Sequence, residues 1–453
     1  MEETTLYYEE QTVYEQSASR VGVLHTPLGE YRLPGVMPSI RTSTDLDAVQ
    51  LNREAGLEIR LISPYASQLA SIGTRFGDLF FPRQTRLIPS PRPLVLADVE
   101  SEALSFNCVA RQNYQELDGA FYSSGRSEAI NMLMRTGFDT DVGRASQEAH
   151  AAWHQMERDY GYGPLIDWTE RHLAAARSDV MLVPTPIMRK DVTTVRHALD
   201  MGERLLPLAR RSTQFTMFGL HFLIHADMFD ADTRADEARR ILRDEVANWG
   251  QDHVVRGAFL SIKLYDPLNA LSDPDRGRIS RMNLSDLLVG LQDGIQASGG
   301  VIVVFNVGNR ALGFVDSGTD VVGIRLTGKA VIDRQFKGRR GERGSRPTPP
   351  ITLPRSMVDE DPVRVRRVYE QTGAFPVPSC LTPEPYWSYP YWEALKYAAR
   401  ARCGVFVDLG EEYSHAARDT SRPLREAVAS RVHDAGNSQE LLDLCPSVRG
   451  DGL

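Results

Sequence analysis

The sequence predicts an α/β protein: a (β/α)8 barrel with a helical insertion after strand three and a C-terminal α+β extension. Eight short apolar runs alternate with helical patterns along the chain, which is typical of βα units that form a parallel sheet. The chain has 453 residues, whereas a closed barrel with its helices needs roughly 250. The excess length leaves room for both the insertion and the extension.

The eight predicted barrel strands are continuous apolar segments, as expected for parallel strands that are buried on both faces. Residues 301–305, with the sequence VIVVF, are the clearest example. A hairpin at residues 21–33 precedes the first strand and turns at Pro27-Leu28-Gly29. We place the strands at residues 35–40, 58–63, 93–98, 179–183, 215–224, 257–264, 301–305 and 321–326.

Helical patterns fill most of the intervals between these strands. The segment 192–210 carries Met201, Leu205 and Leu206 on one face, as a helix packed on a sheet does. Asp232 or Thr233 is suited to cap the next helix, and Gly299-Gly300 ends another. The predicted helices cover residues 44–55, 166–177, 192–210, 232–249, 283–297 and 310–316.

Four segments follow from these assignments. Residues 1–20 form an acidic N-terminal segment, and residues 21–335 form the barrel, with the helical insertion at about 102–177. Residues 336–350 are a basic linker rich in Gly and Pro, and residues 351–453 are the extension. An aromatic cluster at residues 386–392, YWSYPYW, either packs the extension onto the barrel or stacks on nucleic-acid bases.

Composition narrows the functional classes. A formal net charge of −8 argues against a surface that is basic throughout, but it allows a local basic patch. Four scattered cysteines are too few for a disulfide scaffold, and the N-terminus lacks a secretion signal, so we expect a cytoplasmic protein without a membrane segment. A basic run that either contacts nucleic-acid phosphates or is simply solvated contains Arg334, Lys337, Arg339, Arg340, Arg343 and Arg346.

Polar residues at the carboxyl ends of the predicted strands form the candidate site, because the active sites of such barrels lie there. Asp98 ends a strongly apolar run, so its carboxylate would be partly desolvated and suited to acid–base chemistry, or else serve as a cap or ion-pair partner. Asp266 precedes Pro267 and is either functional or part of an Asx turn. The remaining candidates are Arg41, Tyr65, Glu100, Thr185, Lys263, Tyr265, Asn306, Asn309 and Arg325.

Two histidines and an aspartate lie near the end of predicted strand five. His221, His225 and Asp227 could form a metal or acid–base cluster, and structural histidines are the simpler interpretation. The sequence has no phosphate-binding glycine loop and no nucleophilic serine motif placed between a strand and a helix.

Five segments carry a family resemblance through their order and spacing. They are GVLHTPLGEYRLPGVMPSIRT at 22–42, PLVLADVESEALSF at 93–106, RSDVM at 177–181, MFG at 217–219 and the stretch 308–326. Together they resemble the tRNA-guanine transglycosylase superfamily, including divergent relatives that place 7-deazaguanines in DNA. The resemblance implies base exchange, in which an aspartate attacks the sugar C1′ and expels guanine, and a 7-deazaguanine then displaces the enzyme. A second aspartate handles protons, and Asp98 falls at its position.

The residues at other positions of the resemblance differ from the family pattern. The nucleophile position falls at Gly323, so Asp320 and Asp266 are the candidates for a relocated nucleophile. The positions that read the base fall at Thr185 and Phe222. The zinc motif CxCxxC is absent, so we expect no cofactor.

Three hypotheses remain open. The first is a guanine transglycosylase acting on DNA or tRNA with a 7-deazaguanine base. The second is a non-catalytic barrel that binds nucleic acid or pairs with a catalytic subunit, in a homo- or hetero-oligomer. The third is an unrelated barrel enzyme for a small molecule, whose site would contain Asp98, His221, Lys263 and Asp266.

Overall fold

A computed structural model gives the fold. It describes residues 6–13, 20–40, 43–54, 59–65, 69–81, 92–98, 154, 157–158, 162–251, 255–265, 274–305, 317–325, 351–352 and 359–360. Most of the predicted insertion, the basic linker and most of the extension therefore lie outside the described residues, as does the predicted short helix at 310–316. The end of the insertion is described, and its predicted helix at 166–177 is observed at Gly163–Ala175. Within the extension, β12 (Ile351–Thr352) pairs antiparallel with β13 (Asp359–Glu360).

The centre of the fold is a parallel sheet of eight strands that curls into a nearly closed barrel. The strands are β4 (Gly35–Ile40), β5 (Leu61–Pro64), β6 (Leu94–Val95), β7 (Val180–Pro184), β8 (Met217–His225), β9 (Phe259–Tyr265), β10 (Val301–Phe305) and β11 (Val321–Arg325). Their spatial order is β6-β5-β4-β11-β10-β9-β8-β7, with parallel pairing throughout. The predicted (β/α)8 architecture is confirmed, and β4 to β11 are its barrel strands one to eight.

The two edge strands, β6 and β7, meet through a short seam. The backbone amide of Asp179 donates to the carbonyl oxygen of Val95 over 2.8 Å, and the Asp179 carboxylate accepts from the Val95 amide over 2.8 Å. Ser178 Oγ accepts from the Ala97 amide. The Asp179 carboxylate thus replaces a strand carbonyl as the acceptor for the Val95 amide, and this contact brings the ring of strands close to closure.

Six helices surround the barrel in the described part of the chain. They are α1 (Ser43–Glu54), α2 (Leu69–Phe80), α3 (Gly163–Ala175), α4 (Val192–Ala209), α5 (Thr233–Gln251) and α6 (Pro274–Gln296), with a 3-10 turn at Ala226–Phe229. Asp191 caps α4, and Asp232 caps α5 by accepting from the amides of Arg234 and Ala235. These helices are too short or too polar to cross a bilayer.

Alternate strand residues face two separate apolar cores. One core joins strand residues to the helices. The other contains residues from all eight barrel strands and none from a helix, so it fills the inside of the ring. Its barrel-strand members are Met37, Leu61, Leu94, Leu96, Val180, Leu182, Met217, Phe259, Val301, Val303, Phe305 and Val321.

A three-stranded antiparallel sheet covers the amino-terminal end of the barrel. It consists of β1 (Tyr7–Val13), β2 (Arg20–Thr26) and β3 (Gly29–Leu33), in the order β1-β2-β3. Leu24, Tyr31 and Leu33 pack into the same core as the inward-facing barrel residues. The sheet therefore closes the floor of the barrel.

The structure differs from the sequence-based expectations at three elements. The hairpin is confirmed as β2 and β3, but the acidic N-terminal segment also contributes β1, in which exposed Tyr7 and Glu9 alternate with buried Tyr8. Helix α2 was not predicted. Helix α6 begins at Pro274, well before the predicted start at residue 283. Asp273 followed by Pro274 is a sequence signal for a helix start, and it was overlooked when this helix was placed.

Candidate functional site

The candidate site lies inside the barrel at the carboxyl ends of its strands. Inward-facing positions repeat every second residue along a strand. Asp98 follows Leu96 by two residues, and Ser261 and Lys263 follow Phe259 by two and four, so all three continue the inward-facing series. The apolar filling of the lower barrel thus gives way to polar side chains near the mouth.

Lys263 and Asp98 form an ion pair in this upper layer. Lys263 Nζ donates a hydrogen bond of 2.7 Å to Oδ2 of Asp98, and both side chains are fully buried. Nζ also lies 5.1 Å from the centre of the Tyr65 ring, whose face attracts a cation. Two charges are costly to remove from water, so a buried pair is a weak source of stability. The arrangement is typical of groups that are kept for chemistry.

His221 stands beside this pair. Its Nδ1 is 2.6 Å from Ser261 Oγ, and its ring meets the Phe305 ring edge-on at 5.2 Å. Burial lowers the pKa of His221 to about 4; the negative charge of Asp98 opposes this shift and the positive charge of Lys263 adds to it. The imidazole is therefore neutral at physiological pH, and it can donate or accept one hydrogen bond at Nε2.

Several polar atoms in the upper barrel have no hydrogen-bond partner in the structure. They are Ser39 Oγ, Ser63 Oγ and Nε2 of His221, and each belongs to a buried residue. Ser39 and Ser63 are paired in register on β4 and β5, and both continue the inward-facing series. Buried polar groups normally have partners, so these three are suited to bind polar atoms of a ligand or water.

A second group of charges lies where β8 ends. Arg189 contacts the Asp227 carboxylate at 2.6 Å, and Nδ1 of His225 lies 2.9 Å from the same carboxylate. Burial alone would raise the pKa of Asp227, but the contacts with His225 and Arg189 lower it below its ordinary value. His221 points to Ser261 and not to this group, and no cluster of three potential metal ligands occurs among the described residues.

The structure brings five predicted site residues together. Lys263 contacts Asp98 and lies over the Tyr65 ring, and His221 lies within electrostatic reach of Asp98 and Lys263. Thr185 is held beside them, because its amide and Oγ both donate to the His221 carbonyl. Some predicted site residues lie outside the described residues or have side chains that are not described. They are Arg41, Glu100, Tyr265, Asp266, Asn306, Asn309, Arg325, Arg334, Lys337, Arg339, Arg340, Arg343 and Arg346.

Asp320 lies at the opposite end of the barrel, which corrects its candidacy as a nucleophile. It precedes β11, and its carbonyl accepts from the amide of Gly35 at the start of β4, whereas Asp98 follows the end of β6. Both of its oxygens accept from Arg20, at 2.8 and 2.7 Å, and Oδ2 also accepts from the Ile302 amide. Asp320 therefore cannot act on a substrate held by Asp98.

Four residues of this site were not predicted from the sequence: Ser39, Ser63, Ser261 and Phe305. Each lies on a correctly predicted strand or directly at its end. The available signal was the two-residue period, which places Ser63 on the face of Leu61 and Ser261 on the face of Lys263. Site residues are thus identified better by a polar side chain on the inward-facing side of a strand than by a position directly after the strand.

Comparison with protein-family models finds none that matches this chain, and comparison with curated proteins also finds no match. What is established is an α/β fold with a nearly closed, eight-stranded parallel barrel, consistent with a TIM barrel. Enzymes of many reaction classes use this architecture, so function has to be argued from the site.

Proposed function

We propose that this protein is a base-exchange enzyme that replaces guanine in DNA or tRNA by a 7-deazaguanine. The observation that carries the proposal is Asp98, a fully buried carboxylate at the carboxyl end of barrel strand three. The resemblance to guanine transglycosylases assigns the acid–base aspartate to this residue. Its pairing with Lys263 gives it a charged partner with which a proton can be exchanged.

The surrounding groups suit a purine. A guanine-type base presents ring nitrogens, an exocyclic amine and a carbonyl oxygen, and it needs both donors and acceptors around its edge. The hydroxyls of Ser39 and Ser63 and the Nε2 atom of neutral His221 supply both kinds and have no other partner in the structure. The Tyr65 and Phe305 rings supply flat apolar surfaces near them.

The DNA or tRNA would be bound outside the barrel. The basic run from Arg334 to Arg346 follows the last barrel strand in sequence, and basic residues suit phosphate contacts. Binding to a polymer through this run should weaken steeply as the salt concentration rises. The interior site would then bind only the base and its sugar.

The test is the incorporation of radiolabelled guanine, or of labelled 7-deazaguanine bases, into duplex DNA and into tRNA. The wild-type chain should incorporate label into one of these polymers. Asp98→Asn, which keeps the shape of the side chain, should lose about 100- to 10,000-fold in rate. Asp244→Asn removes an exposed carboxylate on α5 and is the matched control. Binding of the polymer without any exchange would refute the proposal and favour a non-catalytic subunit.

A second candidate function is a barrel enzyme that acts on a small polar molecule. It is favoured by the enclosed Lys263 amine, because buried amines next to a carboxylate are suited to acid–base or covalent chemistry on small substrates. This candidate predicts no salt-dependent binding of nucleic acid. A gel-shift titration of DNA and of tRNA at two salt concentrations separates it from base exchange.

A further inference from the structure

We propose that Lys263 is the nucleophile of this site and bonds covalently to the substrate carbon, C1′ of the sugar. This inference rests on the proposed base exchange and names a nucleophile among the described residues; Asp266, a candidate from the sequence, lies outside them. The position that the resemblance assigns to the nucleophile is Gly323, which has no side chain. Asp320 is separated from Asp98 by the height of the barrel. Lys263 is in direct contact with Asp98.

The geometry prepares the amine for this role. Nζ lies 2.7 Å from Oδ2 of Asp98, which is the distance over which a proton can pass from the ammonium group to the carboxylate. Burial removes the water that would otherwise solvate the charged form. His221 is neutral and does not compete for the Asp98 carboxylate as a cation would. The unpaired hydroxyls of Ser39 and Ser63 are available to the substrate.

Lysine is rare in this chain compared with arginine, so a lysine at this buried position is unusual. Of the 52 lysine and arginine residues, five are lysines: Lys190, Lys263, Lys329, Lys337 and Lys396. In the buried ion pair at the other end of the described barrel, the cation that holds Asp320 is an arginine, Arg20. An arginine cannot give up its proton in a protein, whereas a lysine can do so and become a nucleophile. The buried centre of the site therefore carries the cation that can become an amine.

The reaction balances without an added reagent. The Lys263 ammonium passes one proton to Asp98, and the Nζ lone pair then forms a bond to C1′ while the bond from C1′ to guanine N9 breaks. N9 keeps the electron pair of that bond and takes the proton from Asp98. The incoming base reverses these steps: it gives its N9 proton to Asp98 and attacks C1′, and Nζ leaves with its electron pair and recovers the proton.

The covalent state can be trapped. If the ring oxygen leaves C1′ and takes a proton from nitrogen, the adduct becomes an iminium, which borohydride reduces to a stable amine. We would mix the full chain with duplex DNA or with tRNA in sodium borohydride, and with glyceraldehyde in sodium cyanoborohydride. Intact mass and peptide mapping then locate the adduct, and five lysines make the assignment simple. The wild-type chain is sufficient for this measurement, so it does not depend on the folding of a variant.

Matched variants complete the design. Lys263→Arg should abolish the adduct and lower exchange at least about 100-fold. Lys190→Arg should change neither, because Lys190 lies at the surface and its hydrogen bond to Asp232 raises its pKa and keeps it protonated. An adduct at Lys263 from DNA or tRNA supports the inference.

The remaining outcomes separate the two proposals. Guanine exchange by the wild-type chain without an adduct at Lys263 overturns the lysine nucleophile and leaves base exchange standing. An adduct at Lys263 from glyceraldehyde alone, without exchange, overturns base exchange and with it the bond to C1′, and it leaves Lys263 as a nucleophile towards small carbonyl compounds. The absence of both adduct and exchange with every probe overturns both.

Discussion

The two ends of the barrel each hold a buried ion pair, and the two pairs are built differently. At the floor, Arg20 binds Asp320 through two nitrogens, donates to the carbonyl of Gly300, and leaves Asp320 to accept from Ile302 as well. At the mouth, the primary amine of Lys263 donates to Asp98, and the hydroxyls of Ser39 and Ser63, which have no partner, lie in the same upper part of the barrel. Unpartnered polar atoms do not separate the two pairs, because Tyr8 Oη and Thr319 Oγ1 beside the floor pair also have no partner. The first difference is that a guanidinium holds Asp320 through two nitrogens.

The second difference between the two ion pairs is the type of cation. Burial alone would lower the pKa of Arg20, but Asp320 holds it above its ordinary value, so the guanidinium remains charged under all practical conditions. A buried lysine that loses its partner can escape the cost of its charge by releasing a proton. A pair whose cation cannot lose its proton suits architecture, whereas a pair whose cation can lose one suits chemistry.

The largest expected effect is a difference in exchange rate between the Asp98 and the Asp320 variants. Asp98→Asn should lower base exchange by about 100- to 10,000-fold, because the proton acceptor at the mouth is lost. Asp320→Asn should leave the rate per folded molecule at the wild-type value. Exchange assays on both variants, with the folded fraction set by circular dichroism, check this. Equal losses in both variants would break the comparison.

The next effect is on the free energy of unfolding, and here the larger loss is expected in the Asp320 variant. Asp320→Asn leaves an uncompensated buried guanidinium and should lower the free energy of unfolding by about 3–5 kcal/mol. Asp98→Asn should cost less, because Lys263 can become neutral. Urea denaturation of both variants measures the difference. A larger loss in Asp98→Asn would show that the mouth pair is the structural one.

His221 should make stability depend on pH. Its pKa is about 4 in the folded protein, against an ordinary value of 6.5, so the unfolded chain binds a proton more readily than the folded chain between these values. The free energy of unfolding should therefore fall as the pH drops from 6.5 towards 4, by about 3 kcal/mol from this group. His221→Gln should flatten the curve of urea midpoint against pH in that window. An unchanged curve would contradict the burial of an uncharged imidazole.

The smallest effect belongs to a pair at the surface. Lys190 contacts Asp232 at 2.9 Å, with both side chains more than one third exposed. Asp232→Asn keeps a residue type that caps α5 and removes the charge, so it should cost less than about 1 kcal/mol. Thermal unfolding at low and high salt checks this. A cost as large as that at Asp320 would mean that burial does not distinguish these pairs.

Most of the fold could be predicted from the sequence because buried parallel strands have a simple signature. All eight barrel strands were placed within three residues of their observed starts, since a strand covered on both faces is a short run of apolar residues. Strand β1 was missed because its acidic residues hide a half-buried alternation around Tyr8. The Asp179 seam could not be predicted, since a side chain replaces a ladder group there.

The site was predictable as a set of positions but not as a set of contacts. Asp98 and Lys263 are 165 residues apart, and their contact depends on strand order and register, which the sequence does not state. The error at Asp320 was avoidable, because this residue precedes its predicted strand and so belongs to the floor. The hydroxyls of Ser39 and Ser63 were overlooked because they lie on strands and not after them.

The sheet that covers the floor also has a kinetic consequence. Strands β1 to β3 and the core beneath them block the amino-terminal end of the described barrel, so a ligand of the proposed interior site would enter and leave from the carboxyl-terminal side. In base exchange, the expelled purine and its replacement would then share one passage. The first must depart before the second arrives, and turnover would follow a ping-pong order set by the walls of the barrel.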